Sequence, residues 1–241
     1  MLADKYHERS LPEEFLPAGR LDEKVLPCVS RDAVLDVIEN GLAEFAGRSE
    51  LRKIENEKGI TNRLCKILNC HKLLYFHHEG MQDEQRGISP SVDVEAVTTS
   101  NTIFEARSYA KEETLVAIEA KRLPSPPPKS REREYLIGSD RSSGGLERFK
   151  LGVHGKGAPA WVMLGYVQRN DFSSWLTKIN GWIDELAQGR QLRQLVWEPG
   201  EKLEEVARAS ATARYRSRNR RCLDGKIAVI EIIHLWVRLK N

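Results

Sequence analysis

The chain has 241 residues, 40% of them hydrophobic and 30% charged, with a formal net charge of +3 at neutral pH. This balance excludes an intrinsically disordered chain, and the length is enough to bury a sizeable core. No apolar run approaches the roughly 20 residues a membrane-spanning helix needs, and so small a net charge does not by itself name a partner.

Taken in chain order, the first residues are polar, charged and broken by Pro12, Pro17 and Pro27, which predicts an extended arm over residues 1–29. A single domain over residues 30–241 is expected to follow, with no cut between units. Ser30 has the chemistry of a helix N-cap, and Val34, Ile38, Leu42 and Phe45 recur at helical spacing up to Gly47. A second helical stripe runs through Ile60, Leu64 and Leu68 and, extended backwards, includes Glu57 unless Gly59 breaks it. Residues 79–90 read as a polar loop, with His77 and His78 at the exit from the helix before it. Residues 91–97 alternate as a strand, and residues 98–113 read as a long hairpin connection or a ragged extra strand. A strand is predicted over Thr114–Leu123. The proline-rich and charged tract from Pro124 to Ser143 reads as an exposed, flexible loop. A short helix over 144–152 and an apolar strand over 160–167 come next. Phe172, Trp175, Leu176, Ile179, Trp182, Ile183 and Leu186 form a helical face, with Asp171 as cap and Gly189 beyond it. A further helix is expected from about Glu201, ending in the basic run around Arg214–Arg221, and then a strand over 227–239 apolar on both faces.

One stretch stands out chemically. In TLVAIEAKRL, residues 114–123, Leu115, Ala117, Glu119 and Lys121 share one strand face, while Val116, Ile118 and Ala120 share the other. A buried charge needs a partner, so Glu119 and Lys121 either satisfy one another or share a site with a third group. The upstream strand carries Asp93, and Asp22-x-Lys24 and Asp224-x-Lys226 lack any such context. Two carboxylates facing one pocket repel unless a cation bridges them, and oxygen ligands suit Mg²⁺ or Mn²⁺. An ordinary ion pair at a sheet end is the alternative for Glu119 and Lys121, a strand-end residue for Asp93, and an exposed helix acid for Glu57.

The set Asp93 and Glu119-Ala120-Lys121 on successive strands, after a helix bearing Glu57, resembles the PD-(D/E)xK superfamily of restriction-endonuclease-like nucleases. Val92 rather than proline precedes Asp93, the nearest proline being Pro90. The resemblance covers roughly residues 31–167 and implies an α/β fold with an αβββαβ core, in which a central mixed sheet is flanked by helices. Residues 168–241, with further helices and the buried last strand, would extend that core. The resemblance implies that Asp93, Glu119 and Glu57 ligate the metal and that Lys121 handles the attacking water. It implies cleavage of DNA, with RNA left open, in restriction, phage defence or repair, alongside an ATPase or specificity subunit or as a homodimer. A catalytically inactive subunit of the same fold, binding DNA or a protein, is the alternative.

Other signals are local. Arg214, Arg216, Arg218 and Arg220 crowd one run with no acid among them, which suits a phosphate-tracking edge or a solvated helix end. Arg148 and Lys150 follow the Glu119 strand, and the resemblance places substrate contacts there. Cys28, Cys65, Cys70 and Cys222 form no CxxC pair, so no zinc site is expected. With no signal-like apolar N-terminus, they read as free thiols in a reducing, cytoplasmic setting. His234 reads as a hydrogen-bonded core residue, and no glycine-rich phosphate loop argues for an ATPase.

Overall fold

A computed structural model describes residues 26–48, 56–70, 72, 74–81, 91–138, 144–189, 195–223 and 226–239. Most of the predicted arm, residues 1–25, lies outside them. A two-residue strand β1 (Cys28–Val29) leads into helix α1 (Arg31–Gly47), whose first turn is closed by Ser30 Oγ accepting the Ala33 N–H at 3.1 Å. The helical stripe of Val34, Ile38, Leu42 and Phe45 is buried as its spacing predicts. Helix α2 (Glu57–Leu68) starts at Asn56, which accepts the Gly59 N–H at 2.6 Å. Gly59 therefore sits inside the first turn, and Glu57 stands at the helix start, where the macrodipole favours a carboxylate.

Strands β2 (Leu74–Met81), β3 (Ser91–Thr98), β4 (Thr102–Phe104), β5 (Arg107–Tyr109) and β6 (Thr114–Leu123) come next. A six-residue helix α3 (Gly145–Lys150), strand β7 (Ala160–Val167) and helix α4 (Phe172–Ala187) follow, then β8 (Glu204–Arg208), β9 (Thr212–Leu223) and β10 (Lys226–Arg238). Seven strands form one mixed sheet in the order β2-β3-β6-β7-β10-β9-β8, with β6, β7 and β10 mutually parallel neighbours and the flanking pairs antiparallel. β1, β4 and β5 form a separate small sheet. Helices α1 and α2 pack on one face against Val94, Ile118, Val162 and Leu235. α4 and the segment around Tyr135 pack on the other, against Ala117, Met163, Ile232 and Trp236. Each such aliphatic side chain removed from water contributes about 1.5–3 kcal/mol, so the two layers clamp the sheet from both sides. No helix of the described residues is long and apolar enough to cross a membrane.

Three expectations need correction. Residues 79–81, read as loop, belong to β2, an edge strand that also carries His77 and His78; residues 82–90 lie outside the described residues. Residues 98–113 form the long hairpin connection expected between β3 and β6, and its strands β4 and β5 leave the main sheet, β4 pairing also with β1. The tract read as an exposed loop over 124–143 is none over 124–138, where Tyr135 and Leu136 are fully buried against the second layer; residues 139–143 lie outside the described residues. The helix expected after Glu201 is a pair of strands, β8 and β9. In β9, Ala213, Tyr215, Ser217, Asn219 and Arg221 alternate into the interior, a period of two that the intervening arginines obscure.

The last strand is buried at most positions from Ile230 to Val237, as its two apolar faces predict, whereas Lys226–Val229 at its start are exposed, and His234 lies within the buried part. Trp236 Nε1 donates to Tyr135 Oη at 2.8 Å, Tyr135 Oη lies 2.8 Å from His234 Nδ1, and Ser217 Oγ lies 2.8 Å from His234 Nε2. With Oη accepting from Trp236, its proton goes to Nδ1, and Nε2–H donates to Ser217. Burial holds the imidazole neutral and pushes its pKa down to about 3. The unfolded chain takes up this proton near its ordinary value while the native protein refuses it, so native stability falls as pH drops from about 6.5 toward 3, by about 1.4 kcal/mol per pH unit. Unfolding free energies from urea titrations across that window are expected to fall less steeply with decreasing pH in His234→Gln than in the wild type, by about this amount.

Candidate functional site

Strand β6 has unequal neighbours. β7 pairs along it from Val116↔Ala160 to Leu123↔Val167. β3 pairs with it only as far as Val94↔Ile118, after which β3 continues beside β2, through Gly80↔Val92 and Met81↔Ser91. The sheet parts there, and backbone groups of β6 lose their ladder partners. Side chains replace them: Asp93 Oδ2 accepts the Ala120 N–H at 2.7 Å, and Glu57 Oε2 accepts the Arg122 N–H at 3.0 Å. A buried N–H without an acceptor costs about 1–3 kcal/mol, so these bonds hold both carboxylates in the gap between the strands.

Lys121 enters the same gap from β6. Its Nζ donates to Glu119 Oε1 at 2.8 Å and to the Ala120 carbonyl at 2.8 Å, and lies 3.5 Å from Glu57 Oε1 and 3.6 Å from Asp93 Oδ2. The two longer approaches are Coulombic rather than hydrogen-bonded. Gly145 opens α3 against this lysine: a Cβ there would stand 2.6 Å from Met163 and 3.4 Å from Lys121 Cγ. Glu119 has no exposed surface and both its oxygens are engaged. Oε1 also accepts from Arg148 Nη1 at 2.8 Å, and Oε2 lies 2.9 Å from His154 Nδ1. Three carboxylates thus face two fixed cations, leaving one negative charge in excess when His154 is neutral. The side chains of Glu57, Asp93 and Arg148 each keep about a quarter to three-tenths of their surface exposed, so the cluster opens to solvent on that side.

The charges tune one another. Burial pushes the Glu57 carboxyl up, and Lys121 opposes that without overcoming it. Burial and then Glu119 raise Asp93. For Glu119 burial acts upward too, but Lys121, His154 and Arg148 outweigh it and hold the carboxyl at about 2. Burial works against the charge of Lys121, yet Glu119, Asp93 and Glu57 together raise it above the ordinary lysine range. Lys121 is an ammonium group here.

The structure therefore gathers Glu57, Asp93, Glu119, Lys121 and Arg148, and adds His154, which sequence reading missed. The only local signal for His154 is its place between Gly152 and Gly155, both at positive φ, in the loop after α3. Glu55, which would take the place of Glu57 on the stripe if the helix began earlier, lies outside the described residues. The remaining basic residues lie elsewhere. Lys150 is fully buried, paired with Glu201 and 4.3 Å from the Trp197 ring centre, so it does not present itself to a polymer. Arg214, Arg216, Arg218 and Arg220 line one face of β9. Arg214 is held by Glu39 and Asp36, Arg216 by Glu204 and Arg220 by Glu198, while Arg218 is exposed with no ion pair among the described residues. Among the described residues no three His, Cys, Asp or Glu side chains are gathered to hold a metal ion as they stand. Compared with models of known families, with curated proteins and with solved structures, the chain matches none.

Glu119 is the buried countercharge on which the cluster closes. Removing it leaves Lys121 and Arg148 without their shared partner, so Glu119→Gln is expected to lower the unfolding free energy by about 3–5 kcal/mol in denaturant titrations. Asp93→Asn and Glu57→Gln, on partly exposed groups, are expected to cost no more than about 1.5 kcal/mol each. Equal losses from all three would contradict this ranking.

Proposed function

We propose that this chain is a metal-dependent nuclease with a restriction-endonuclease-like core, hydrolysing phosphodiester bonds of DNA. The observation that carries the reading is that one ammonium, Lys121 Nζ, lies within 3.6 Å of the carboxylates of Glu57, Asp93 and Glu119. The order of α2, β2, β3, β6, α3 and β7, with three antiparallel strands and then a parallel one, supports an αβββαβ core. The donor set suits a hard divalent cation such as Mg²⁺ or Mn²⁺, since it is all carboxylate, and Glu57 and Asp93 each commit one oxygen to a backbone N–H and keep the other. Asp93, Glu57 and Glu119 would hold that ion. A bound divalent ion supplies Lewis-acid polarisation of the phosphate and activation of water.

The chain's own groups do the rest. Lys121, charged rather than basic, orients the attacking water by donating to it and offsets negative charge building on the phosphate. Arg148, hydrogen-bonded to Glu119 and about a quarter exposed, offers its guanidinium edge to a phosphate oxygen. His154 and Arg148 fix the carboxylate of Glu119, so the strand end stays ordered while substrate enters. A role in restriction, phage defence or repair, with an ATPase or specificity subunit, follows as part of the same proposal.

A second reading is favoured by one observation: Lys121, Arg148 and His154 already occupy both oxygens of Glu119. In that reading the ion pair is permanent, and the chain is an inactive subunit of the same fold that binds DNA or a partner. Incubating plasmid and linear DNA with the purified chain in Mg²⁺ or Mn²⁺ separates the two. Cleavage that falls by about 10²–10³ in Glu119→Ala and Lys121→Ala supports the nuclease. Variants that cut as fast as wild type would sink the mechanism, and DNA binding without cleavage or Mn²⁺ uptake supports the inactive subunit. Because burial raises the carboxyls of Glu57 and Asp93, protons compete with the cation to higher pH than at ordinary carboxylates. Mn²⁺ affinity measured by calorimetry is expected to rise with pH through the acid range and to level off above those raised values.

A further inference from the structure

On the far side of the loop that carries His154, a cleft of about 640 Å³ opens between the β4–β5 hairpin, residues 155–159 and the start of β10. Its lining is cationic and aromatic. Arg107, Lys156, Arg221 and Lys226 face it together with Tyr109 and Trp161. Its one acid, Glu105, is already engaged, accepting the Arg31 N–H at 3.2 Å and lying 3.8 Å from the Arg31 guanidinium.

Arg221 is the unusual member. It is 5% exposed, sits 5.1 Å from the Trp161 ring centre, and makes one long hydrogen bond, 3.5 Å from Nη2 to the Gly155 carbonyl. Its Nε is buried with no hydrogen-bond partner, and no acid pairs with it among the described residues. Burial without a countercharge depresses its guanidinium. Gly155 at φ +62° makes this arrangement possible, because a Cβ there would stand 2.6 Å from Trp161 and 3.0 Å from the Ala117 Cβ. Buried charges are normally paired, and leaving one unpaired costs several kcal/mol unless something else supplies the opposite charge. The β9 arginines on the opposite strand face mostly have acids; Arg221 has a cleft instead.

We infer that this cleft is a second site, separate from the carboxylate cluster, that binds a phosphate-bearing ligand: Arg221 and Lys226 take the phosphate, and Tyr109 and Trp161 flank its organic body. Planar guanidinium donors match phosphate oxygens, and aromatic rings beside them suit a nucleobase or sugar. Two sources share this chemistry, a free nucleotide and the backbone of a nucleic-acid strand. The inference does not rest on the nuclease reading.

The test titrates the full chain, without divalent metal, with inorganic phosphate, a deoxynucleoside 5′-monophosphate and a short single-stranded deoxyoligonucleotide, followed by calorimetry. Saturable binding that weakens as salt rises is expected, with affinity reduced about tenfold or more in Arg221→Met. Arg221→Met is also expected to unfold at an equal or higher temperature, since a purely structural arginine would lower it on removal. Lys226→Glu, at an exposed position, should lose binding similarly and keeps the test open if Arg221→Met does not fold. Oligonucleotide binding much tighter than mononucleotide binding assigns the site to a strand, and equal binding assigns it to a free nucleotide. Absence of saturable binding to all three probes, or affinities unchanged in both variants, overturns the inference. Binding retained by a chain that never cuts DNA leaves the cleft standing and removes the nuclease reading instead.

Discussion

The structure turns on the point where β3 leaves β6. A strand inside a sheet has its N–H and C=O groups paired on both sides, and a strand that outruns one neighbour exposes half of them. Here β7 accompanies β6 to Leu123 while the β3 ladder ends at Ile118, so Ala120 and Arg122 need acceptors from elsewhere. Asp93, from the departing strand, and Glu57, from the start of α2, supply them. Once two carboxylates are fixed in so narrow a gap, a cation must follow, and Lys121 is the one within reach. Glu119 then closes the group from below, held by Arg148 and His154.

This order of cause explains why the cluster is polar. Each member answers a demand made by another, and the three carboxylates outnumber the two cations they share. The demand begins with backbone hydrogen bonding, which is independent of any reaction. A site formed this way is structurally complete as an ion-pair network, and its chemistry depends on whether a divalent cation replaces part of that network. The cleft at Arg221 is the converse: its charge has no acid partner among the described residues.

Much of the cluster was legible in the chain. Strict alternation placed Glu119 and Lys121 on one face of an apolar strand, and the helical stripe placed Glu57 toward the interior. Other elements were hidden by composition. β2 carries Glu79 and two histidines because it is an edge strand with one side in water, so it lacks the apolar run of an inner strand. In β9 the inward positions include Ser217, Asn219 and Arg221, polar groups that meet His234, the Ser217 hydroxyl and the Gly155 carbonyl respectively, so the alternation carries little hydrophobic signature. The tract after Pro124 looked like a loop because its buried residues, Tyr135 and Leu136, are few and surrounded by charge.

Periodicity alone determined the two N-terminal helices, the inner strands and the shared face of Glu119 and Lys121, because those features depend on the residues nearest in sequence. Only the tertiary structure decided that Asp93 reaches Ala120, that Glu57 reaches Arg122 across 65 residues, and that His154, from the loop after α3, meets the second oxygen of Glu119. It also decided that the β9 arginines are largely neutralised while Arg221 is left facing a cleft. Charge pairing and backbone capping act between segments far apart in the chain, so nothing in the local spacing records which partner each group finds.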